Sequence, residues 1–471
     1  MASGFASYEI ARSGLFASER ALNVTGHNIA NLNTTGYVRQ QAMISDSPYL
    51  VSAGANGINQ VGLGANVQQI RQIRIHFLDI MYRKESMAYG YWETKKKTIQ
   101  DIEAVLGDPM GEGLQNIMNQ FWNAWQELSK EPESLTIRAV VRQRGEALTN
   151  TLNHIGEQLD KLKKDLISEI AVRIEEVNEI TSQIAELNTI IYKYEATGGT
   201  ANDYRDQRNL LADRLSRLVN AEISEVEGGY YLVKIGGYTV VNRETSVNLY
   251  LDEDATGGMS YKPKLEGWEV ELPIKNGTIA GLIDSIGDVD ETVGMLNKLV
   301  NAMVTKINEL HNSGKTLAGT DGDDFFVPIK NGFPIDLRNI KLNDNLSDLN
   351  NIVASSVEKS GDNTIALKIA NLRNEPLITD ETGILSIDEY YETIIAKVGQ
   401  KGDEAINIAE NQYTLLMAAD AKRQALSGVS LDEEMTYMIR FKFAYDASSR
   451  AFNAIDQLME TIINRMGLVG R

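Results

Sequence analysis

Two stretches, one near each end of the chain, carry apolar residues at seven-residue spacing. Over residues 430–466, Leu431, Met438, Tyr445, Phe452, Met459 and Met466 fall on one line. Phe441, Ile455 and Ile462 fall on a second line three residues further on, with Ser448 as its polar member. Ser430 and Glu433 form an S-x-x-E capping box at the start, and no Pro or Gly interrupts the pattern before Gly467. This is an a/d seam sustained over about five heptads, and a helix cannot bury such a seam against itself. Near the other end, Tyr8, Leu15, Leu22 and Ile29 are also spaced by seven, with Ala11, Ser18, Thr25 and Leu32 offset by three. The small residues on that second line would let a neighbouring backbone come close. Either stripe alone fits an amphipathic helix lying on a globular core. Two matched stripes predict that the ends of the chain pair as a coiled coil.

A chain of 471 residues exceeds one ordinary core and is expected to form two to four domains. Lys and Arg number 46 against 65 Asp and Glu, a formal net charge of −19, which argues against nucleic acid as a partner. The basic runs Lys95-Lys96-Lys97 and residues 161–164 lie within helical patterns and read as solvated faces. The absence of cysteine excludes a disulfide framework, thiolate zinc sites and cysteine nucleophiles. Met1-Ala2-Ser3-Gly4-Phe5 has neither a basic start nor an apolar core, so no cleaved signal peptide is expected. No apolar run approaches the roughly 18 residues of a membrane span, and no membrane insertion is expected.

In chain order, a helix is predicted over residues 3–32, stopped by Asn33-Thr34-Thr35-Gly36. Residues 37–74 are Gly-rich and predicted to be extended and partly β. Helical patterning returns over 75–106. It returns again where Leu114, Ile117, Met118, Phe121, Trp122, Trp125 and Leu128 mark one buried face. At that spacing the two tryptophans are core residues, although an aromatic pair can also hold a ligand. Ser134 opens a helix that keeps one face apolar to about residue 196, a rod roughly 80 to 90 Å long. A shorter helix follows over 202–219. Residues 222–273 are β-prone runs separated by turns. A helix is predicted over 278–312, then a mixed region over 315–385. Ser386 and Glu389 make another capping box, opening a helix expected to break near Gly399 and Gly402 and resume to Leu426. The fold class is therefore mainly α with a smaller β insert, a long-helix rod, and N- and C-terminal helices paired as a coiled coil. The expected domains are a terminal unit (1–74 and 427–471), a helical rod (75–221, 274–320 and 386–426) and a small β-rich outer domain (222–273, with parts of 321–385).

Ser13-Gly14-Leu15 and Asn28-Ile29-Ala30-Asn31-Leu32-Asn33-Thr34-Thr35-Gly36-Tyr37 resemble the amino-terminal signature of bacterial flagellar axial proteins, the rod, hook and hook-associated family. Four stretches resemble its hook-associated protein 1 (hook–filament junction) branch. They are Val38-Arg39-Gln40, Ser427-Gly428-Val429-Ser430-Leu431-Asp432-Glu433-Glu434, Phe121-Trp122-Asn123-Ala124-Trp125, and Ala201-Asn202-Asp203-Tyr204-Arg205-Asp206-Gln207-Arg208. Thr35 stands where Pro is expected, Val38 where a hydroxyl residue is usual, and Ser430 where Asn is common; Ser and Asn are both good N-caps. The resemblance implies a structural, non-enzymatic component of the flagellum, exported through the flagellar type III apparatus. Its implied partners are further copies of itself in a ring, the hook protein, the second junction protein, and a cytoplasmic export chaperone at the C-terminal helix. No cofactor is implied. The expected assembly interface is Leu15, Leu22, Ile29, Leu32, Met438, Phe441, Tyr445, Phe452, Ile455, Met459 and Ile462, and the axial motif is Asn28, Asn31, Asn33, Gly36 and Tyr37. Fuller members of the family carry a large outer domain within the region matching 315–385, for which about 70 residues leave little room.

Motifs for chemistry are sparse. His27, His76, His154 and His311 sit on different predicted elements with no metal-ligand spacing. Asp321-Gly322-Asp323-Asp324 hints at a cation, but Gly directly after the first Asp and no Glu at the twelfth position exclude an EF-hand. No P-loop, Rossmann glycine pattern, G-x-S-x-G or H-E-x-x-H occurs. Two alternatives stay open: another axial protein such as the hook protein, and a flagellum-borne glycan-binding or glycan-degrading protein. The Phe121–Trp125 stretch and the long helices favour the junction branch over the hook protein. The small β insert with no pocket motif disfavours the glycan reading.

Overall fold

The computed structural model describes residues 2–54, 57–107, 113–252, 260–357, 359, 361–380 and 383–465. It begins with helix α1 (Ala2–Ala30) and four strands, β1 (Gln40–Asp46), β2 (Tyr49–Gly54), β3 (Gly57–Gly62) and β4 (Ala65–Gln72). The helices α2 (His76–Leu106), α3 (Leu114–Lys130), α4 (Leu135–Glu195) and α5 (Asn202–Leu218) follow. Next come β5 (Ala221–Val226), β6 (Tyr230–Ile235), β7 (Tyr238–Asn242), β8 (Thr245–Ser246), β9 (Leu249–Tyr250), β10 (Lys264–Leu265) and β11 (Trp268–Glu271), then α6 (Thr278–Asn312). Residues 315–385 contain β12 (Phe326–Val327), β13 (Lys341–Leu342), α7 (Thr364–Asn371), β14 (Ile378–Asp380) and β15 (Gly383–Leu385). The helices α8 (Ile387–Ser427) and α9 (Leu431–Arg465) return to the start. The fold is thus mainly α with small antiparallel sheets.

The helical body forms where the apolar periodicity places it. On α3, Leu114, Met118, Phe121, Trp122, Trp125 and Leu128 are buried, one face at 3.6-residue spacing. Trp125 has no exposed surface and lies among Phe121 and Phe325, with ring centroids 6.3 and 5.4 Å away. The 61 residues of α4 make a rod of about 90 Å. Its buried face runs from Val141 to Ile191 and joins one continuous core with α2, α3, α6 and α8.

Helix α8 corrects an expectation. It is continuous through Gly399 and Gly402, where a break was predicted. An interior glycine weakens a helix by about 1 kcal/mol relative to Ala, which is a small term beside tertiary burial. Here Ile394, Val398, Ala405 and Ala409 are buried on the same helix. Gly402 also serves the packing: a Cβ there would lie 2.5 Å from Glu103 Oε1 on α2. The capping box expected at its start is present, with Ser386 N–H donating to Glu389 Oε2 (2.9 Å) and Glu389 N–H to Ser386 Oγ (3.3 Å).

The strands of the central insert form a four-stranded sheet in the order β5-β6-β7-β8 and a three-stranded sheet in the order β11-β10-β9. Both are fastened to α4 by the same device. Asn178 accepts from Leu249 N (2.7 Å) and donates to Leu249 O (2.8 Å). Asn188 accepts from Tyr231 N and donates to Tyr231 O, each at 2.9 Å. Each side-chain amide pairs with a strand backbone as a further strand residue would: Asn178 on the outer strand β9, Asn188 on the inner strand β6 where its pairing with β7 has ended. Residues 315–385 pack elsewhere, placing Phe325 and Phe326 beside Phe121 and α7 against α3.

Candidate functional site: the joint between the terminal helices and the body

Helices α1 and α9 lie side by side and antiparallel, with the rings of Tyr8 and Phe452 4.6 Å apart at one end and Asn28 bonded to Glu434 at the other. The ends of the chain therefore pair, and on α1 the predicted small-residue line (Ala11, Ser18, Thr25) is buried while the predicted large-residue line flanks it. On α1 the buried residues include Ala11, Ser18, Ala21, Thr25 and Asn28. Leu15, Leu22 and Ile29 are half-buried along its margin, and Leu32 is exposed beyond the helix end. The cause is close approach: a Cβ on Gly14 would lie 2.8 Å from Ser448 Oγ, so small residues take the centre of the face and larger ones flank it. On α9, Met438, Phe441, Phe452, Ile455 and Met459 are half-buried, whereas Tyr445 and Ile462 are 37% and 53% exposed. Leu32, Tyr445 and Ile462 are thus not enclosed by the pair, and no apolar seam residue of α9 is fully covered. Met466 lies outside the described residues.

At the inner end of this pair, three stretches far apart in sequence converge. Asn28, 1% exposed, uses both donors and both lone pairs of its amide. Its Nδ2 donates to Gln40 O (2.9 Å) and Glu434 Oε2 (3.0 Å), and its Oδ1 accepts from Gln40 N (3.0 Å) and Tyr37 OH (2.8 Å). One side chain so binds the end of α1 to β1 and to α9. Burial, with Asp203, Asp206 and Glu434 nearby, holds the Tyr37 phenol well above its usual range, so it stays a donor. Asn31 closes α1, donating to His27 O (3.0 Å) and accepting from Thr34 Oγ1 (3.1 Å). Gly36 has φ +82°, a left-handed conformation that only glycine takes without strain, and it sits under Leu210. Asn33 is exposed and makes no side-chain hydrogen bond among the described residues.

Arg39 completes the tie to α9. Its Nε donates to Glu434 Oε1 and its Nη1 to Glu433 Oε2, both at 2.7 Å, while its backbone N–H bonds Ser427 O at 3.0 Å. The third stretch is the start of α5. Asp206 accepts from Val38 N (3.1 Å) and Gln72 Nε2 (2.7 Å), Asp203 from Gln40 Nε2 (2.8 Å), and Asn202 Nδ2 donates to Ile70 O (2.9 Å). Burial, assisted by Asp203, pushes the Asp206 carboxyl up to about 7, against the opposing pull of Val38 N–H and Arg74. Beneath this layer, Arg74 pairs with Asp79 (2.7 Å) and Arg83 with Asp213 (2.7 Å). Arg423 on α8 reaches Asp213 and lies 3.8 Å over the Tyr82 ring. Ser13 makes a separate tie: its Oγ accepts from Ala65 N (3.2 Å), and Gly64 approaches so closely that a Cβ there would sit 1.9 Å away.

Of the predicted axial motif, Asn28 and Tyr37 enter this network directly, Asn31 and Gly36 shape the turn that delivers it, and Asn33 stays outside. Arg39, Asp203, Asp206, Glu433 and Glu434 stand in stretches that sequence reading singles out, yet their roles emerge only once the stretches meet. One signal was available. Asn28 continues the seven-residue line Gly14–Ala21, a polar residue on the close face of a helix pair. Among the described residues no cluster of His, Asp or Glu is arranged to hold a metal ion. The carboxylates of the Asp321–Asp324 stretch are engaged by Lys315, Asn345 and Asn312. No described helix is long and apolar enough to cross a membrane. What the joint supplies is geometry: it fixes the direction in which the terminal pair leaves the body.

Residues 9–37 match the family model of the flagella basal body rod protein, and residues 423–466 that of the flagellar basal body rod FlgEFG protein C-terminal region. Residues 99–326 match the flagellar hook-associated protein FlgK helical domain. The chain is 32% identical to flagellar hook-associated protein 1 of Bacillus subtilis, over 100% of both chains. It is 23% identical to that of Escherichia coli, over 96% of this chain and 98% of the relative. With that of Salmonella typhimurium it shares 28% identity, over 67% of this chain and 58% of the relative. Among solved structures, the flagellar hook junction protein FlgK from Burkholderia pseudomallei superposes with a TM-score of 0.63 at 13% identity, covering 76% of this chain and 100% of that one; the likeness is one of fold. This chain belongs to the flagellar hook-associated protein 1 family.

Proposed function

We propose that this protein is a structural subunit of the bacterial flagellum, joining the hook to the filament as one member of a junction ring. The observation that carries the reading is the joint. Asn28, Arg39, Asp206 and Glu434 hold an incompletely covered helix pair at a fixed angle to a rigid helical body. A subunit that must transmit torque between two lattices needs that angle to be set by buried, paired groups. We propose the division into a terminal unit (1–74 and 427–471), a rod (75–221, 274–320 and 386–426) and a β-rich insert (222–273), with neighbouring copies covering the remaining faces of α1 and α9. The parts of 321–385 expected to join that insert pack instead on the rod, at α3, α4 and α6. The hook protein and the second junction protein are its proposed neighbours along the axis, and an export chaperone its proposed cytoplasmic partner at α9. On this reading the protein leaves the cell without a cleaved signal peptide, acts without a cofactor and catalyses nothing.

The test is reconstitution on isolated hooks that lack the protein. The purified chain should cap their distal ends and then allow filament subunits to add. Arg39→Ala should weaken capping while leaving the melting of the body in place. Failure of the unaltered protein to bind hook ends, or growth of filament without it, would overturn the reading.

A further inference from the structure

Three Asn-Gly pairs occur in the chain, at 56–57, 276–277 and 331–332. This dipeptide is the one in which a backbone nitrogen most readily reaches the preceding side-chain amide, because glycine offers no side chain to shield it. Asn56 lies outside the described residues, and the structure separates the other two. Asn276-Gly277 is held at the start of α6. Gly277 N–H donates to Asn276 Oδ1 (2.9 Å), Gly277 O accepts from Gly281 N (3.0 Å), and a Cβ on Gly277 would lie 2.6 Å from Leu218 O. Asn331-Gly332 forms the tip of a turn closed by Phe333 N–H to Lys330 O (3.4 Å), with Gly332 at φ +87°. The base of that turn is anchored, since Lys330 N–H donates to Asn339 Oδ1 (2.7 Å) and Asn339 Nδ2 to Pro334 O (2.9 Å). At the tip, both residues are exposed, and neither the Asn331 amide nor Gly332 N–H has a hydrogen-bond partner among the described residues. Nothing lies within 4 Å of the Gly332 Cβ position.

We propose that Asn331 is a site of spontaneous covalent modification. The Gly332 backbone nitrogen loses its proton and attacks Asn331 Cγ; the side-chain nitrogen takes up a proton and leaves as ammonia, closing a succinimide. Water then opens the ring at either carbonyl, giving aspartate or isoaspartate. Both products add a negative charge beside Lys330, and isoaspartate also lengthens the backbone of the turn by one carbon. That carbon displaces Phe333, which is 66% exposed. An exposed loop tip accepts such a change without unfolding the body.

Peptide mapping by mass spectrometry tests this on the full-length folded protein. After incubation from neutral to mildly alkaline pH, residue 331 should show the mass gain of deamidation and the isoaspartyl product, increasingly as pH rises, while residue 276 keeps its amide. In urea, where the chain is unfolded, both positions should convert. Asn331→Gln should suppress the reaction at that position, and an unchanged thermal midpoint would show that its fold is intact. If residue 331 stays unreacted in the folded protein while converting in urea, or if residue 276 keeps pace with it in the folded protein, the assignment is wrong.

Discussion

Asn28 shows how much one buried amide can decide. Replacing it by Ala leaves Gln40 N, Gln40 O and Tyr37 OH each without a buried partner, at about 1–3 kcal/mol for each group that cannot reach water. Asn28→Asp is nearly isosteric but should be worse, because a carboxylate cannot donate to Gln40 O and would face Glu434 across the former 3.0 Å contact. Limited proteolysis near residues 31–39 should rank the three proteins wild type, Ala, Asp in rising susceptibility; equal rates for Ala and Asp would refute that reading of the joint. In the body, His311 is fully buried and neutral, its Nδ1 facing Asp323 O and its Nε2 accepting from Val353 N at 2.9 Å. Burial, joined by repulsion from Arg138, pushes its pKa down to about 4 against the opposing pull of Asp323 and Asp324. A depressed folded value means the contribution is whole above the unfolded value of about 6.5 and is lost as pH falls through that value toward 4. The melting temperature should therefore drop more steeply over that window in the wild type than in His311→Gln. Parallel slopes would show that His311 does not titrate on unfolding.

At the scale of elements, the apolar period was the dependable signal and glycine the misleading one. The bounds of α3, α4 and α6 follow from residues at 3.6 spacing, because burying that face outweighs any local preference. Gly399 and Gly402 read as a break only while the partner helix is unknown. A Cβ on Gly399 would meet nothing within 4 Å, whereas one on Gly402 would meet Glu103. Gly399→Ala should accordingly stabilise the body by about 0.5–1 kcal/mol, the ordinary helix-interior gain. Gly402→Ala should yield less, because the Glu103 carboxylate must move aside. Denaturant midpoints of the two variants decide the matter, and equal gains would mean that the α2–α8 contact is looser than the distances indicate. On α1 the small line Ala11, Ser18 and Thr25 was legible as the face of close approach, whereas Gly14 and Ala21 fall on neither predicted line and emerge only once α9 is in place. The Asn178 and Asn188 ties were hidden more deeply, since nothing in a helix sequence marks an amide that will pair with a strand backbone seventy or forty-odd residues away.

For the whole molecule, the decisive contrast lies between a closed body and an open terminal pair. The joint residues were legible as stretches, but their meeting point was not, because contacts such as Asn28–Glu434 and Arg39–Glu434 span nearly the full chain. Beyond the joint, α9 leaves Ile439, Phe443, Leu458 and Ile463 at 53%, 68%, 64% and 72% exposure. Each such side chain would gain about 1.5–3 kcal/mol on full burial, a gain the single subunit cannot realise. Helix α9 therefore has few buried contacts to oppose fraying, whereas the core around Trp125 has many. Hydrogen exchange on the dilute monomer should show weak protection of amides between Met438 and Ile462 and strong protection along α3 and α4. In assembled rings the protection of α9 should rise toward that of the body. Ile455, half-buried in the pair, offers the genetic counterpart. Ile455→Asp places a charge in the terminal pair whose remaining faces we propose neighbouring copies cover, so it should abolish incorporation at hook ends while the melting temperature of the body hardly moves. Strong protection of α9 in the monomer, or normal incorporation of Ile455→Asp, would mean that the terminal pair is already complete within one subunit and that assembly adds nothing to its order.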